Sequence, residues 1–389
     1  MKALKKEIVE NQTLNSHMLF FDPLNKVAVI DRKGSEMPSI RYVDVKPGIR
    51  VYENGDTEFT FYAPDAKSVQ VAGIGGFMGK TRYDMKKGED GHWSVTVPGI
   101  HEGFHYHEYY VDGNRCINPD APVGYGCFYP INYFEMPGED SAFYLMQDVP
   151  HGDVRMELYR SSITGRMKAC WVYTPPGYEE HPEKQYPVLY IQHGVGENET
   201  GWIWQGKLNL IADNLLAEGK CKEMLIVMNS GYAFVEGEDP RFFPGDFDAE
   251  LTKDCIPFID KKYRVISGKE NRGIAGLSLG SAQAFLSGMK HPELFTHVGV
   301  FSGGFPIARP EYDYTEFFND PKRVNSAYKV FFISGGDQEG YCESTLPIVE
   351  KLRKSGARIT GYHHEGYHCW DIWRYSLHAF LPLLFQDKN

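Results

Sequence analysis

Ser278 stands between Gly276 and Gly280 in the run RGIAGLSLGSAQAF, residues 272–285. A short apolar stretch, Arg272 to Ala275, precedes the turn, and a helix-like stretch, Ser281 to Phe295, follows it. A serine at a sharp strand-to-helix turn sits on strained backbone with its hydroxyl presented outward, and small neighbours prevent clashes around it. The bland alternative is a packing turn of small residues. A serine hydroxyl is a weak nucleophile at neutral pH and requires a base. In this kind of turn the partners follow in the order acid, then histidine, each in a loop after a strand. His368 in EGYHCWDIWRYSLHAFLPLLF (365–385) meets that condition, since it follows the strand-like ARITGYHH and precedes an amphipathic helix. His363 and His364 fall in or at the end of the strand, and His378 falls inside the helix.

Two carboxylates compete for the role of orienting acid. Asp337 and Glu339 both lie in GGDQEG (335–340) after the apolar KVFFIS, and spacing alone does not separate them. Acyl transfer also needs donors aimed at a developing oxyanion. The Leu279 N–H, directly after the serine, is the first expected donor. The second is expected from the glycine-rich turn IQHGVG (191–196), at Val195, with Gly194 as the alternative; His193 there is read as a structural hydrogen-bonding residue. Trp202, Trp204, Tyr232 and Phe234 follow strand ends and are expected to line a cleft, where flat rings would stack on a phenolic group. Nothing resembles HExxH or another metal-ligand spacing, so neither metal nor cofactor is expected.

Two kinds of element must hold these residues. From 38 to 136 the strands DTEFTFYAP, KSVQVAG, HWSVTVPG and FHYHEYYVDG alternate or nearly alternate, with turns at short intervals. That pattern predicts a small antiparallel sandwich. From about 168 onward, continuous apolar runs ending in glycine (PVLYIQHG, MLIVMNSG, THVGVFSGG, KVFFISGG) alternate with helix-like stretches. They predict a mainly parallel sheet covered by helices on both faces, with the active residues at the carboxyl ends of its strands. The expected organisation is an N-terminal extension (1–37), the sandwich (38–136), a linker (137–152) and the α/β domain (153–389).

Composition narrows the function. The 389 residues carry 52 acidic and 41 basic side chains, a formal charge of -11, without the clustered positive charge that nucleic-acid binding needs. No window approaches a membrane-spanning apolar run. The seven cysteines are an odd number without a CxxC pair, so reduced thiols are expected; Cys342 and Cys369 flank the acid loop and the histidine and are read as unpaired. The opening residues lack a secretory pattern, which gives an expectation of a cytoplasmic protein acting on imported oligosaccharides. Oligomeric state is open, a homo-oligomer included.

The ensemble YTPPGY, QHGVGENETGW, NRGIAGLSLGSAQAF, ISGGDQEG and GYHCWDIWRYSLHAFLPLLF resembles the esterase D-like branch of the α/β-hydrolases over 153–389. FTFYAPDAKSVQVAG, WSVTVPGI and FHYHEYYVDG resemble carbohydrate-binding module family 48, an early-set immunoglobulin-like sandwich. The pairing is similar to feruloyl and xylan esterases of carbohydrate esterase family 1. This resemblance implies an α/β-hydrolase fold preceded by a small all-β immunoglobulin-like domain, with Ser278 as nucleophile, His368 as general base and the acid at Glu339. Many members have Asp at that place, so Asp337 stays in competition. The implied activity is a serine carboxylic-ester hydrolase, first a feruloyl esterase on arabinoxylan-derived oligosaccharides. Acetylxylan esterase, siderophore (enterobactin-type) esterase and a non-catalytic glycan-binding scaffold are the alternatives. Cationic residues suited to a siderophore would be Arg241, Arg309 and Lys322. The sandwich is expected to shape the esterase cleft rather than to bind glycans, with Trp93 as core or platform.

Overall fold

A strand such as Leu225–Asn229, apolar at nearly every position, has no polar face to turn to water and must be covered on both sides. All five of its residues are buried. The same holds for Val188–Gln192 and His297–Phe301, and every fully buried aliphatic residue in them contributes about 1.5–3 kcal/mol relative to exposure. These strands form the centre of an eight-stranded sheet in the computed structural model. The structure describes residues 26–31, 39–44, 46–52, 54–74, 79–136, 138–238, 244–303 and 313–386. It falls into two compact units, Met1–Ser141 and Ala142–Asn389.

In the second unit the strands are β1 (Asp153–Arg160), β2 (Met167–Thr174), β3 (Val188–Gln192), β4 (Leu225–Asn229), β5 (Arg272–Leu277), β6 (His297–Phe301), β7 (Val330–Gly336) and β8 (Thr360–His364). Their spatial order is β1-β2-β4-β3-β5-β6-β7-β8. The pairs β1–β2 and β2–β4 are antiparallel, and the rest are parallel. This is the mainly parallel sheet that the apolar runs predict. Among the helices packed on it are α1 (Leu208–Ala217), α2 (Leu279–Lys290), α3 (Leu346–Lys354) and α4 (Trp370–Phe380). The stretch from Phe247 to Lys262 is also helical, interrupted by a π turn at Leu251–Cys255.

Helix α4 shows how the terminal segment is fixed. Trp370, Trp373, Leu377 and Phe380 recur on one face and are buried. Phe380 packs edge-on to Phe301 of β6, with ring centroids 5.5 Å apart. A Cβ at Gly299 would stand 2.9 Å from the Phe380 ring, so β6 needs glycine there for the helix to dock. Ser334 Oγ donates to Ser376 Oγ at 2.8 Å, tying the helix to β7. The loop leading into this helix carries His368.

The first unit is a sandwich of one six-stranded and one four-stranded antiparallel sheet, as the alternation predicts. Phe59, Phe61 and Trp93 from one sheet meet Val71, Tyr109 and Phe134 from the other in its core. Trp93 is buried, and its indole N–H donates to Ala63 O at 2.9 Å, so it is core rather than platform. An antiparallel pair, Lys26–Asp31 with Ser39–Asp44, runs across the expected boundary at 37/38.

The expected linker needs correction. Its later part belongs to the second unit, where Asn214 Nδ2 donates to Phe143 O at 3.0 Å and to Leu145 O at 2.9 Å. The Tyr144 ring lies 5.1 Å from the Lys207 ammonium and 4.6 Å from the Arg374 guanidinium. Asp213 accepts from Gly152 N at 3.0 Å. The stretch lacks a strand's alternation because a short 3-10 turn, Glu139–Tyr144, and side-chain bonds, not a strand ladder, satisfy its backbone.

Candidate active site

The turn after β5 is as tight as its glycines imply. Ser278 has φ 51° and ψ -116°, a strained conformation for a residue with a Cβ. Its N–H is held by Phe301 O at 2.9 Å. A Cβ on Gly276 would lie 2.3 Å from Gly280 O, and one on Gly280 would lie 2.4 Å from His193 O. Larger residues at either place would push the serine turn away from the end of β3.

His368 completes the approach from the other side. Its Nε2 lies 2.9 Å from Ser278 Oγ, and its Nδ1 lies 2.6 Å from Glu339 Oε2. The ring stands edge-on to Trp373, centroids 5.2 Å apart, which limits its rotation. The structure therefore brings Glu339, rather than Asp337, onto the histidine. Asp337 Oδ1 instead accepts the Gly366 N–H at 2.8 Å and so braces the loop that leads to His368. Of the other histidines, His364 stacks on Tyr375 at 3.7 Å, and His378 packs against Phe143 at 4.6 Å. His363 lies over Tyr341 at 6.5 Å.

Glu339 is held at both oxygens. Oε1 accepts from Ser302 Oγ at 2.6 Å and from the Gly336 N–H. Burial pushes this carboxyl up, but the hydrogen bonds from His368, Gly336 and Ser302 outweigh it and hold the group below the usual glutamate range. A carboxylate so placed stays charged beside an imidazole that gains a proton. Ser302 was not among the expected site residues. Its φ of 49° is unusual for serine, and the sequence offers only its place at a strand end in THVGVFSGG.

The turn after β3 lies against the serine. A Cβ on Gly194 would stand 3.3 Å from Ser278 Cβ. Glu197 N donates to Gly194 O at 3.3 Å, closing a tight turn around Val195 and Gly196. The Leu279 N–H opens α2, where the first-turn amides have no partner within the helix. His193 is buried with its pKa lowered to about 4, chiefly by burial. Neutral, it donates from Nδ1 to Gly194 O (2.8 Å) and accepts at Nε2 from Gly231 N (2.9 Å), the structural role expected of it.

The expected cleft residues separate. Trp202 is 1% exposed, its indole N–H donating to Gln192 O at 2.9 Å and its ring edge-on to Trp370. It is a packing residue, which corrects the cleft expectation: four residues after β3's turn the chain enters a short helix that points this ring inward. Trp204 is half-buried and edge-on to Trp171 of β2 at 6.1 Å. Phe234 is 47% exposed and stacks on Tyr232 at 5.8 Å and 7°. The Tyr232 hydroxyl accepts the Gly196 N–H at 2.7 Å. Cys342 and Cys369 are free thiols, and burial pushes the Cys369 thiol up. Among the described residues no three His, Cys, Asp or Glu side chains converge to hold a metal ion, and no helix is long and apolar enough to cross a membrane. Lys322 is exposed at the start of a helix, whereas Arg241 and Arg309 lie outside the described residues.

Known proteins resemble this chain in sequence and fold. Residues 161–384 match the family described as "Putative esterase", and residues 46–122 match "Carbohydrate-binding module 48 (Isoamylase N-terminal domain)". An endo-1,4-beta-xylanase/feruloyl esterase of Xylanibacter ruminicola is 36% identical over 345 residues, which are 86% of this chain and 46% of that protein. The chain thus spans less than half the length of that relative. A solved ferulic acid esterase superposes with a TM-score of 0.52 at 26% identity, covering 60% of this chain and 97% of its own. The enterobactin esterase of Shigella flexneri superposes over 91% of this chain and 95% of its own with a TM-score of 0.59, but at 14% identity it shares the fold alone. The family pattern covers more than half of the chain, and the protein belongs to this esterase family, with a module 48-like sandwich ahead of an α/β-hydrolase unit.

Proposed function

We propose that the protein is a serine carboxylic-ester hydrolase that releases hydroxycinnamic acids, feruloyl first among them, from feruloylated xylan-derived oligosaccharides. The observation that carries the reaction class is the hydrogen-bonded chain Ser278–His368–Glu339 at the carboxyl ends of β5, β7 and β8. The acyl preference is supported by the 36% identity to a xylanase/feruloyl esterase over most of the chain. Phe234 and Tyr367, 47% and 43% exposed, also present open rings on the loops that carry Tyr232 and His368.

In the proposed reaction His368 Nε2 takes the Ser278 proton as Oγ attacks the ester carbonyl. Glu339 keeps the imidazole in the tautomer with Nδ1 protonated and stabilises its charged form. The N–H groups of Leu279 and Val195 receive the oxyanion, with Gly194 as the alternative donor; losing one such donor costs about 3 kcal/mol of transition-state stabilisation. The imidazolium then protonates the departing sugar alcohol. Water, activated by the same histidine, releases the acid from Ser278.

Initial rates on methyl ferulate, acetylated xylooligosaccharides and enterobactin test the assignment. The proposal expects methyl ferulate to give the highest kcat/KM. Preference for the acetyl or catecholate ester would move the assignment to acetylxylan or siderophore esterase. No turnover on any of them would favour a glycan-binding scaffold.

A further inference from the structure

The oxyanion turn has only one residue, Val195, between Gly194 and Gly196, and glycine-flanked turns of this kind are intrinsically loose. From within the turn the Glu197 N–H holds the Gly194 carbonyl at 3.3 Å, and further supports come from outside. A peptide unit is planar and trans, so the Gly194 carbonyl and the Val195 N–H point in opposite directions from one rigid plate. Whatever pins the carbonyl therefore aims the amide.

Tyr232 lies where it can do this. Its hydroxyl accepts the Gly196 N–H at 2.7 Å and lies 3.5 Å from Gly194 O, so one atom meets both flanks of Val195. His193 Nδ1 reaches the same carbonyl at 2.8 Å, and its ring is 5.0 Å from that of Tyr232. The tyrosine is itself anchored. Lys168 on β2 donates from Nζ to Tyr232 O at 2.5 Å, and Phe234 stacks parallel on the ring. With the Gly196 N–H taken by Tyr232, the donors left to that turn among the described residues are the Val195 N–H and the alternative at Gly194.

We infer that Tyr232 is a positioning residue for the oxyanion hole, acting through its hydroxyl on the Gly194–Gly196 turn, and not a wall of the acyl pocket. The inference rests on the proposed ester hydrolysis at Ser278. It differs in its consequences from the sequence expectation that Tyr232 contacts substrate. A wall residue affects ground-state binding, whereas an oxyanion aligner affects the transition state.

The test is Tyr232→Phe, which keeps the ring against Phe234 and removes only the hydroxyl. With methyl ferulate and with 4-nitrophenyl acetate, kcat is expected to fall at least tenfold while KM stays within twofold. Affinity for phenylboronic acid, which forms a tetrahedral adduct on the serine, is expected to fall by the same factor. Affinity for ferulate is expected to stay within twofold. A raised KM and weakened ferulate binding at unchanged kcat would overturn the inference in favour of a substrate wall, and so would unchanged values throughout. If thermal unfolding shows the variant damaged, Lys168→Met, which removes the bond to the Tyr232 carbonyl, is read by the same split between kcat and KM. The two readings fail separately: slow turnover of methyl ferulate beside brisk turnover of 4-nitrophenyl acetate would reject the feruloyl assignment, while the acetate and boronate measurements still decide the role of Tyr232.

Discussion

Ser302 Oγ donates to Glu339 Oε1 at 2.6 Å, on the oxygen opposite the one that faces His368. The serine adopts φ 49° to make this contact, and its own N–H is held by Ser334 O at 2.8 Å. Strained backbone at a strand end thus supports the acid from behind. A hydrogen bond to a charged group is worth about 1.5–3 kcal/mol, so Ser302→Ala is expected to lower kcat roughly 10- to 100-fold. Ser302→Gly removes the same donor but relieves the positive φ, and it should lose as much activity with a smaller loss of stability. Equal activity in wild type and both variants would show that the contact does not serve the acid.

Glu339 and Asp337 should separate in function as they do in space. Glu339→Gln is expected to lower kcat by about 10²–10⁴, because an amide neither fixes the right tautomer nor stabilises the imidazolium. Asp337→Asn leaves the imidazole contact intact and weakens only the tie to Gly366, so kcat should stay within about tenfold, with a lower unfolding midpoint. Steady-state kinetics on both variants checks this, and a larger defect in Asp337→Asn would reverse the assignment.

Trp202→Ala tests the correction made at the cleft. The ring is 1% exposed and packed against Trp370 and Phe301. Deleting such a side chain is expected to cost about 3–5 kcal/mol of stability. Chemical denaturation should register that loss. A stable variant with only a raised KM would restore the sequence expectation.

His107 is expected to make the sandwich unit acid-sensitive. It is buried among Phe59, Tyr109 and Phe134, and among the described residues neither ring nitrogen has a hydrogen-bond partner. Burial, the largest cause, lowers its pKa from 6.5 to about 3. The folded pKa lies below the unfolded one, so this contribution to stability is complete above pH 6.5 and declines as pH falls toward 3. The unfolded chain takes up the proton first, and the loss reaches about 2 kcal/mol by pH 5. His107→Phe should reduce the stability difference between pH 7.5 and pH 5 by about that amount. Urea titrations at the two pH values measure it; an unchanged difference would contradict the account.

Much of this was legible from residue types. GLSLG required a serine turn, and its position between an apolar run and a small-residue stretch fixed strand and helix. His368 followed from chain order and from the helix after it. Glu339 followed only from resemblance, because reach alone does not rank two carboxylates in one loop. The correction at the cleft has a physical source. Trp202 is placed by proximity to a strand end, but the direction in which a ring points depends on backbone turns that local pattern does not encode. Ser302 gave no sign because its role comes from a positive φ, which residue type leaves unannounced for serine.

The central claim is that Ser278 is the acyl-accepting nucleophile activated by His368. The most direct measurement is peptide mapping by mass spectrometry after reaction with a 4-nitrophenyl phosphonate ester. A single adduct on Ser278, formed as activity is lost and strongly slowed in His368→Ala, is the predicted result. An adduct on another residue, or a Ser278→Ala variant that still turns over ester at the wild-type rate, would contradict it.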